Sequence, residues 1–216
     1  PGSEQIKGAG GVLKLSLETF NEEIIFSDLK LDKIRFYLKG QPQHINPLYQ
    51  LLLNKCHNVV ITASASDTSP AYLGKDAISP VGFTTDEGLL PYPPASFLGY
   101  RLLTEYFVFQ EKFMFIDITG LTGKLQNNHG NQLDIYIYLE SSDVELEHNI
   151  DEQTFKLGCT PVVNLFEYRT DPIKLDHTQT EYQIIPDSRR PVGYEIYSVN
   201  KVTATATSGE KEDFLP

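Results

Sequence analysis

Short stretches of alternating apolar and polar residues recur along the chain. A period of two is typical of a strand that buries one face, and it occurs at residues 13–18, 34–38 and 132–140. Residues 58–63 are rich in β-branched side chains and also predict a strand. Residues 112–118 are almost continuously apolar, which predicts a strand buried on both faces.

Two segments carry apolar residues at helical spacing instead. Asn46 suits an N-cap and Pro47 the first helical position, so a short helix is expected near residues 47–55. After the proline-rich stretch at 91–94, a second helix is expected near residues 98–107. Its apolar face would carry Leu98, Leu102, Leu103, Tyr106 and Phe107.

The second half of the chain predicts strands separated by turns that contain Pro and Gly. The acidic stretch at 141–151 is expected to connect the two halves. The further strands are expected at residues 154–157, 172–175, 181–185 and 194–205, and loops or turns at 66–70, 86–88 and 127–130.

Many short strands with a few short helices predict a mainly β (α+β) fold with β-sandwich-like domains. Residues 1–10 are expected to be a tag remnant and flexible lead-in, because Pro1-Gly2-Ser3 resembles a cloning scar. Residues 11–145 would form a β-rich domain that contains both helices. Residues 146–216 would form a second β-rich subdomain or a continuation of the first, truncated at its C-terminus.

The composition supports β structure and narrows the partners. The chain has 12 Tyr, 12 Phe and no Trp, and Tyr and Phe favour strands. Its net charge of −11 repels nucleic-acid phosphates and anionic lipid, so neither is expected as a partner. Apolar runs are too short to span a bilayer, which needs about 20 residues. Cys56 and Cys159 are expected to be free thiols in a reducing compartment.

Signatures of catalysis and cofactor binding are absent from the sequence. There is no Gly-x-Ser-x-Gly elbow and no phosphate-binding loop. The five histidines are scattered and the cysteines do not form a C-x-x-C pair, so no metal site is expected. Acidic residues at 86–87, 171 and 176 adjoin Gly or lie in predicted loops, where turn formation is their expected role. We therefore expect no enzyme and no cofactor.

Aromatic and apolar residues are concentrated in two segments, at 97–118 and 161–168. Such residues form either a core or the anchors of a subunit interface. The candidate core or interface residues are Tyr100, Tyr106, Phe107, Phe113, Phe115, Leu165 and Phe166.

Short strings in a characteristic order carry a resemblance to a known family. They include 35–40 (RFYLKG), 47–53 (PLYQLLL), 86–91 (DEGLLP), 99–107 (GYRLLTEYF), 159–166 (CTPVVNLF) and 186–191 (PDSRRP). Together they resemble the TssF family (also called ImpG or VasA) of bacterial type VI secretion systems. The resemblance runs from about residue 11 to residue 205 and implies a central fragment of a longer protein.

The resemblance implies a structural role in a phage-tail-like baseplate. Family members resemble the wedge proteins of contractile phages. The resemblance implies assembly of two TssF copies with one TssG, contact with TssK and TssE, docking of the spike-bearing hub and initiation of the sheath. It also implies a location at the cytoplasmic face of the bacterial inner membrane, and it brings no active site.

Two alternative functions remain open at this point. A carbohydrate-binding or glycoside-cleaving β-module would use the tyrosines and loop carboxylates, although sugar platforms commonly use Trp, which the chain lacks. An extracellular adhesion domain would require export and oxidised cysteines.

Overall fold

The structure, a computed structural model, describes residues 6–64, 67, 69–92, 95–125 and 130–215. Parts of the predicted loops (66, 68 and 127–129), residues 1–3 of the expected tag remnant and two residues of the proline-rich stretch (93 and 94) lie outside these ranges. The chain divides into two compact units, Pro1–Val163 and Asn164–Pro216.

The first unit is built mainly from strands. In chain order they are β1 (Gly11–Glu18), β2 (Lys33–Leu38), β3 (Cys56–Thr62), β4 (Ala71–Gly74), β5 (Ile78–Pro80), β6 (Phe115–Thr119), β7 (Gln132–Leu139) and β8 (Phe155–Lys156). Its α-helices are α1 (Pro42–Asn54), α2 (Leu98–Val108) and α3 (Val144–Asn149). Short 3-10 turns occur at Lys75–Ala77, Thr85–Glu87 and Gln110–Phe113.

The strands form two four-stranded antiparallel sheets, with the orders β1-β7-β3-β4 and β5-β6-β2-β8. In the first sheet the register sets Leu15 opposite Ile135, and Ile61 pairs with Ile135 from the other side. In the second sheet Phe36 lies opposite Ile116. Since side chains alternate across a strand, each register gathers the apolar residues on one face of its sheet.

One continuous core joins the apolar faces of the two sheets. Phe36, Ile116 and Ile118 from the second sheet belong to the same buried cluster as Ile61 and Ile135 from the first. Helix α1 adds Ile45, Leu48 and Leu52 to this cluster. The architecture is therefore sandwich-like, and the predicted fold class, mainly β with a few short helices, is confirmed.

The second helix lies close to its predicted range, whereas the first begins earlier than the sequence indicated. Helix α1 starts at Pro42 after the N-cap Gln41, and Pro47 lies inside it. The prediction that Asn46 is the N-cap is wrong. Pro42 fits the first turn, where its missing N–H would lack an intrahelical acceptor in any case. Burial of Ile45 stabilises the added turn, so the helix continues through Pro47 despite the lost hydrogen bond.

Three segments differ from their predicted structure. Lys112 lies in a 3-10 turn and the strand β6 begins only at Phe115, although residues 115–118 are buried as expected. The acidic connection contains helix α3, whose N-cap Asp143 accepts the backbone N–H of Glu145. In the second unit the strands predicted at 172–175, 181–185 and 194–201 are absent from the described residues. There β9 (Val202–Thr205) and β10 (Lys211–Phe214) form an antiparallel hairpin.

The boundary between the two units follows Val163, whereas the sequence placed a boundary near residue 145. Helix α3 and strand β8 account for the difference. Helix α3 packs on α1, and β8 pairs with β2 at Leu38 and Phe155. These long-range contacts assign residues 146–163 to the first unit.

Truncation of a side chain in the shared core should destabilise the first unit strongly. We expect Phe36→Ala, at a position 1% exposed, to lower the free energy of unfolding by about 3–5 kcal/mol. Val12→Ala is the matched control, because Val12 lies in a strand but is 58% exposed, and it should cost less than about 1 kcal/mol. Urea unfolding measures both. Equal losses in the two variants would contradict the shared core.

Candidate functional site

Helix α2 has the opposite sidedness from an ordinary amphipathic helix. Its buried residues are Arg101 and Glu105, which are 4% and 2% exposed. Most of its apolar residues are exposed to solvent instead: Phe107 is 81% exposed, and Leu102 is half-buried. A charged interior face with an aromatic outer face is unusual, because burial normally favours apolar side chains. The exposed set comprises Phe97, Leu98, Tyr100, Leu103, Tyr106, Phe107 and Val108.

Arg101 fixes one end of the buried face of α2. Its guanidinium donates to the backbone carbonyl oxygens of Thr84 and Thr85, with donor–acceptor distances of 2.7 Å in both cases. These carbonyls belong to the turn before α2, so the contact anchors the helix to that turn. Gly88 lies against the same side chain, since a Cβ there would come within 2.5 Å of Arg101 Nη1.

Glu105 fixes the next turn of the helix. Its Oε1 accepts the backbone N–H groups of Leu89 at 2.8 Å and Leu90 at 3.2 Å, and its Oε2 forms a buried ion pair with Lys112. Burial opposes ionisation of Glu105, but the hydrogen bonds from Lys112, Leu89 and Leu90 outweigh it and hold its pKa below the ordinary value. The ammonium of Lys112 also lies 4.9 Å from the ring centre of Phe113.

A second group of charges joins this turn to the sandwich. Arg35 donates from Nε and Nη2 to both carboxylate oxygens of Asp117, at 2.7 and 2.8 Å, and Lys33 adds a contact of 2.7 Å. Arg35 Nη2 also lies 3.3 Å from Glu87 Oε1. The other oxygen of Glu87 accepts the N–H of Gly82 at 2.7 Å. These contacts thus connect β2 and β6 to the turn at residues 84–90, which also contacts Arg101 and Glu105 of α2.

Because Arg101 and Glu105 hold one side of α2 against the first unit, the aromatic side of the helix faces solvent. Phe97 and Tyr100 pack edge to face with ring centres 5.8 Å apart, as do Tyr106 and Phe107 at 5.6 Å. Tyr106 also lies 6.0 Å from the buried ring of Phe113. A group of large apolar residues facing solvent is typical of a protein-binding surface.

The structure separates the predicted candidate residues into different environments. Phe113 and Phe115 are buried in the first unit, whereas Tyr100, Tyr106 and Phe107 are exposed on α2. Leu165 and Phe166 are exposed in the second unit. The role of the seven residues as core or interface residues stays a prediction.

The sequence reasoning missed the charged residues that determine the site. Arg101 and Glu105 are four residues apart, so they lie on the same side of a helix, and the aromatic residues lie on the other side. That spacing was the available signal. It could not show that the charged side is the buried one, because the partners of Arg101 and Glu105 come from residues 84–90 and from Lys112.

No metal-binding group appears in the part of the chain that the structure describes: no three His, Cys, Asp or Glu side chains converge there. Cys56 and Cys159 are free thiols, the first half-buried and the second exposed, and burial raises the pKa of Cys56 to about 11. None of the described helices combines the length and apolar character that a membrane crossing requires.

An antiparallel sandwich that displays an aromatic helix face has the features that are typical of a protein-binding module. The family model described as "Type VI secretion system, TssF" matches residues 1–216. The chain belongs to the TssF family, a family of structural components of the type VI secretion baseplate, as the strings in the sequence indicated.

Individual relatives agree with this assignment. The chain is 34% identical over 194 residues to the type VI secretion system component TssF1 of Pseudomonas aeruginosa. This match covers 89% of the chain and 31% of TssF1. It also resembles a chain in the cryo-electron microscopy structure of a TssK-TssF-TssG baseplate subcomplex, with a TM-score of 0.68 and 28% identity. That match covers 92% of this chain and 37% of the other. The chain thus spans about a third of the length of these relatives.

Removal of the buried carboxylate should destabilise α2 and its surroundings. Glu105→Gln leaves the ammonium of Lys112 buried without its countercharge, so we expect the free energy of unfolding at neutral pH to fall by about 3–5 kcal/mol. The double variant Glu105→Gln/Lys112→Met removes both charges and should recover much of this loss. Glu22→Gln, at an exposed turn, is the matched control. Urea unfolding that shows no difference between Glu105→Gln and the control would refute the ion pair.

The Asp117 cluster should make stability depend on acid pH. Burial opposes ionisation of Asp117, but hydrogen bonds from Arg35 and Lys33 lower its pKa below the ordinary 3.8. Because the folded-state pKa is the lower one, the stabilisation is complete above about pH 4 and is lost as the pH falls through the folded-state value. Asp117→Asn should lower stability at neutral pH and flatten its decline in acid. An unchanged acid slope in this variant would contradict the assignment.

Proposed function

We propose that the protein to which this chain belongs is a structural component of the type VI secretion baseplate wedge. In this proposal it assembles with TssG, TssK, TssE and a second TssF copy, docks the spike-bearing hub and starts sheath assembly at the cytoplasmic face of the inner membrane. The supporting observation is the outward aromatic face of α2, in a chain whose solved relative is part of a TssK-TssF-TssG subcomplex.

The α2 face has the properties that a subunit interface needs. Phe97, Tyr100 and Phe107 offer large aromatic surfaces, which supply most of the binding energy in many interfaces. Their helix is already held by the buried contacts of Arg101 and Glu105. A preformed surface loses less conformational entropy on binding than one that must first be ordered. We therefore assign to α2 the contact with a neighbouring subunit of the TssK-TssF-TssG assembly.

No catalytic step is part of the proposal. The charged residues at the site are engaged in structural contacts: Arg101 with backbone carbonyls, and Glu105 with backbone N–H groups and Lys112. Groups that are engaged by such structural partners serve poorly as general acids, bases or nucleophiles. Their arrangement instead suits the positioning of the apolar residues on the opposite side of the helix.

A co-purification experiment with the full-length protein tests the α2 assignment. Full-length protein carrying Phe107→Ala, co-expressed with TssG and TssK, should bind at least one of them about tenfold more weakly than the unsubstituted protein, a change equivalent to about 1.4 kcal/mol. Phe20→Ala is the matched control, because Phe20 is a fully exposed phenylalanine outside α2. Titration of tagged TssF with each purified partner gives the affinities.

The experiment tests the role of the α2 surface and the proposed function independently of each other. Normal affinity for both partners in Phe107→Ala would refute the role of α2. Failure of the unsubstituted full-length protein to bind any baseplate subunit would refute the proposed function itself. Equal unfolding midpoints of the two variants would show that loss of binding does not reflect loss of folding.

A further inference from the structure

The second unit is rich in residues that favour strands, but its described residues form few backbone hydrogen bonds and none of them is buried. None of the described residues 164–215 is buried. Apart from the β9–β10 hairpin, few of its backbone N–H groups donate to a carbonyl in the described part of the chain; those of Asp171, Arg190 and Gly193 do. An isolated two-stranded hairpin is marginally stable at best.

The same unit is rich in residues that favour strands. Segments 172–175, 181–185 and 194–199 alternate or cluster apolar side chains in the manner of strands. Several of these side chains are exposed, such as Leu175 at 58% and Ile173 at 41%, whereas Tyr182, Ile184 and Tyr194 are half-buried. Sequence and environment therefore disagree in this unit, although they agree in the strands of the sandwich.

Local contacts nevertheless order the unit. The rings of Tyr168 and Tyr194 stack with centres 5.0 Å apart, and Phe166 contacts both of them edge to face. The carboxylate of Asp171 accepts the backbone N–H of Ser188 at 2.8 Å, and Asp171 N–H donates to the carbonyl of Ile185 at 3.2 Å. These contacts join segments that are distant in sequence, so the backbone between them has a defined path.

The backbone of residues 173–175, whose N–H groups have no hydrogen-bond partner among the described residues, can serve as a template for strand addition. A strand laid beside it would satisfy its N–H and C=O groups and would cover alternate side chains, such as Ile173 and Leu175. The hairpin offers the same opportunity, because Val202 and Phe214 lie opposite each other and are each about half exposed.

We infer that residues 164–215 are completed into a β-sheet by strands from polypeptide of the same longer TssF-family chain, outside the 216 residues described. The matched region is 31% of TssF1 and 37% of the solved baseplate chain, so these relatives contain ample further polypeptide. A strand from the same molecule has a high effective concentration and needs no separate association step. The inference rests on membership of the family and does not depend on the proposed role of α2.

Hydrogen–deuterium exchange on the full-length protein, without partners, tests this inference. Amides of 173–175 and 181–185 should exchange about 100-fold or more slowly than the unstructured chain, because ladder hydrogen bonds protect them. Exchange close to the unstructured rate would overturn the inference. Protection that appears only after addition of TssG or TssK, or only at concentrations where the protein dimerises, would also overturn it, since the strand would then come from another molecule.

Proline substitutions in the full-length protein provide a second measurement. Because only one of two neighbouring N–H groups points into a given ladder, Lys174→Pro and Leu175→Pro should be compared. At least one should increase exchange across 172–185 by about tenfold, since proline removes a ladder donor. Thr180→Pro, in an exposed bend, is the matched control and should have no such effect. Unchanged exchange in both strand variants would count against strand addition, whatever their binding to TssG.

Discussion

The buried contacts of Glu105 with Lys112 and with the backbone of residues 89–90 determine how helix α2 lies on the first unit. A buried carboxylate is tolerated only where cations and N–H donors compensate its lost hydration. Those donors lie on one side of α2, and Arg101 is held on that same side. Rotation of the helix to bury its aromatic residues would leave these charges unpaired, so the aromatic face stays outward.

The sandwich supplies the rigid base for this arrangement. Asp117 projects from β6 opposite Arg35 of β2, and Arg35 reaches Glu87 in the turn before α2. That segment also requires glycine where the chain turns tightly against Lys112, because Gly82 has a φ of +102°. The register of β2 and β6 sets Arg35 beside Asp117. Arg35 in turn contacts the turn before α2 through Glu87, and this turn positions the helix and its aromatic face.

The two units differ in how completely their residues are packed. The first has a completed core and presents side chains on a preformed helix. The second has ordered local contacts, such as the stacked Tyr168 and Tyr194, but exposes both its apolar side chains and much of its backbone. Affinity at the first kind of surface comes from burial of aromatic groups, whereas the second kind offers backbone hydrogen bonding.

Sequence alone determined the features in which local pattern and burial coincide. The period of two in β1, β2 and β7 predicts those strands, because one face of each enters the core. The existence of α2 and the family resemblance were also readable. Tertiary structure decided the start of α1, the absent pairing of residues 172–185 and the sidedness of α2. Each of these depends on residues elsewhere in the fold. The start of α1 depends on the core that buries Ile45, the pairing of residues 172–185 on a neighbouring strand, and the sidedness of α2 on the donors to Glu105. Local periodicity carries no information about such partners, and for that reason the aromatic cluster was foreseen while the charges that turn it outward were not.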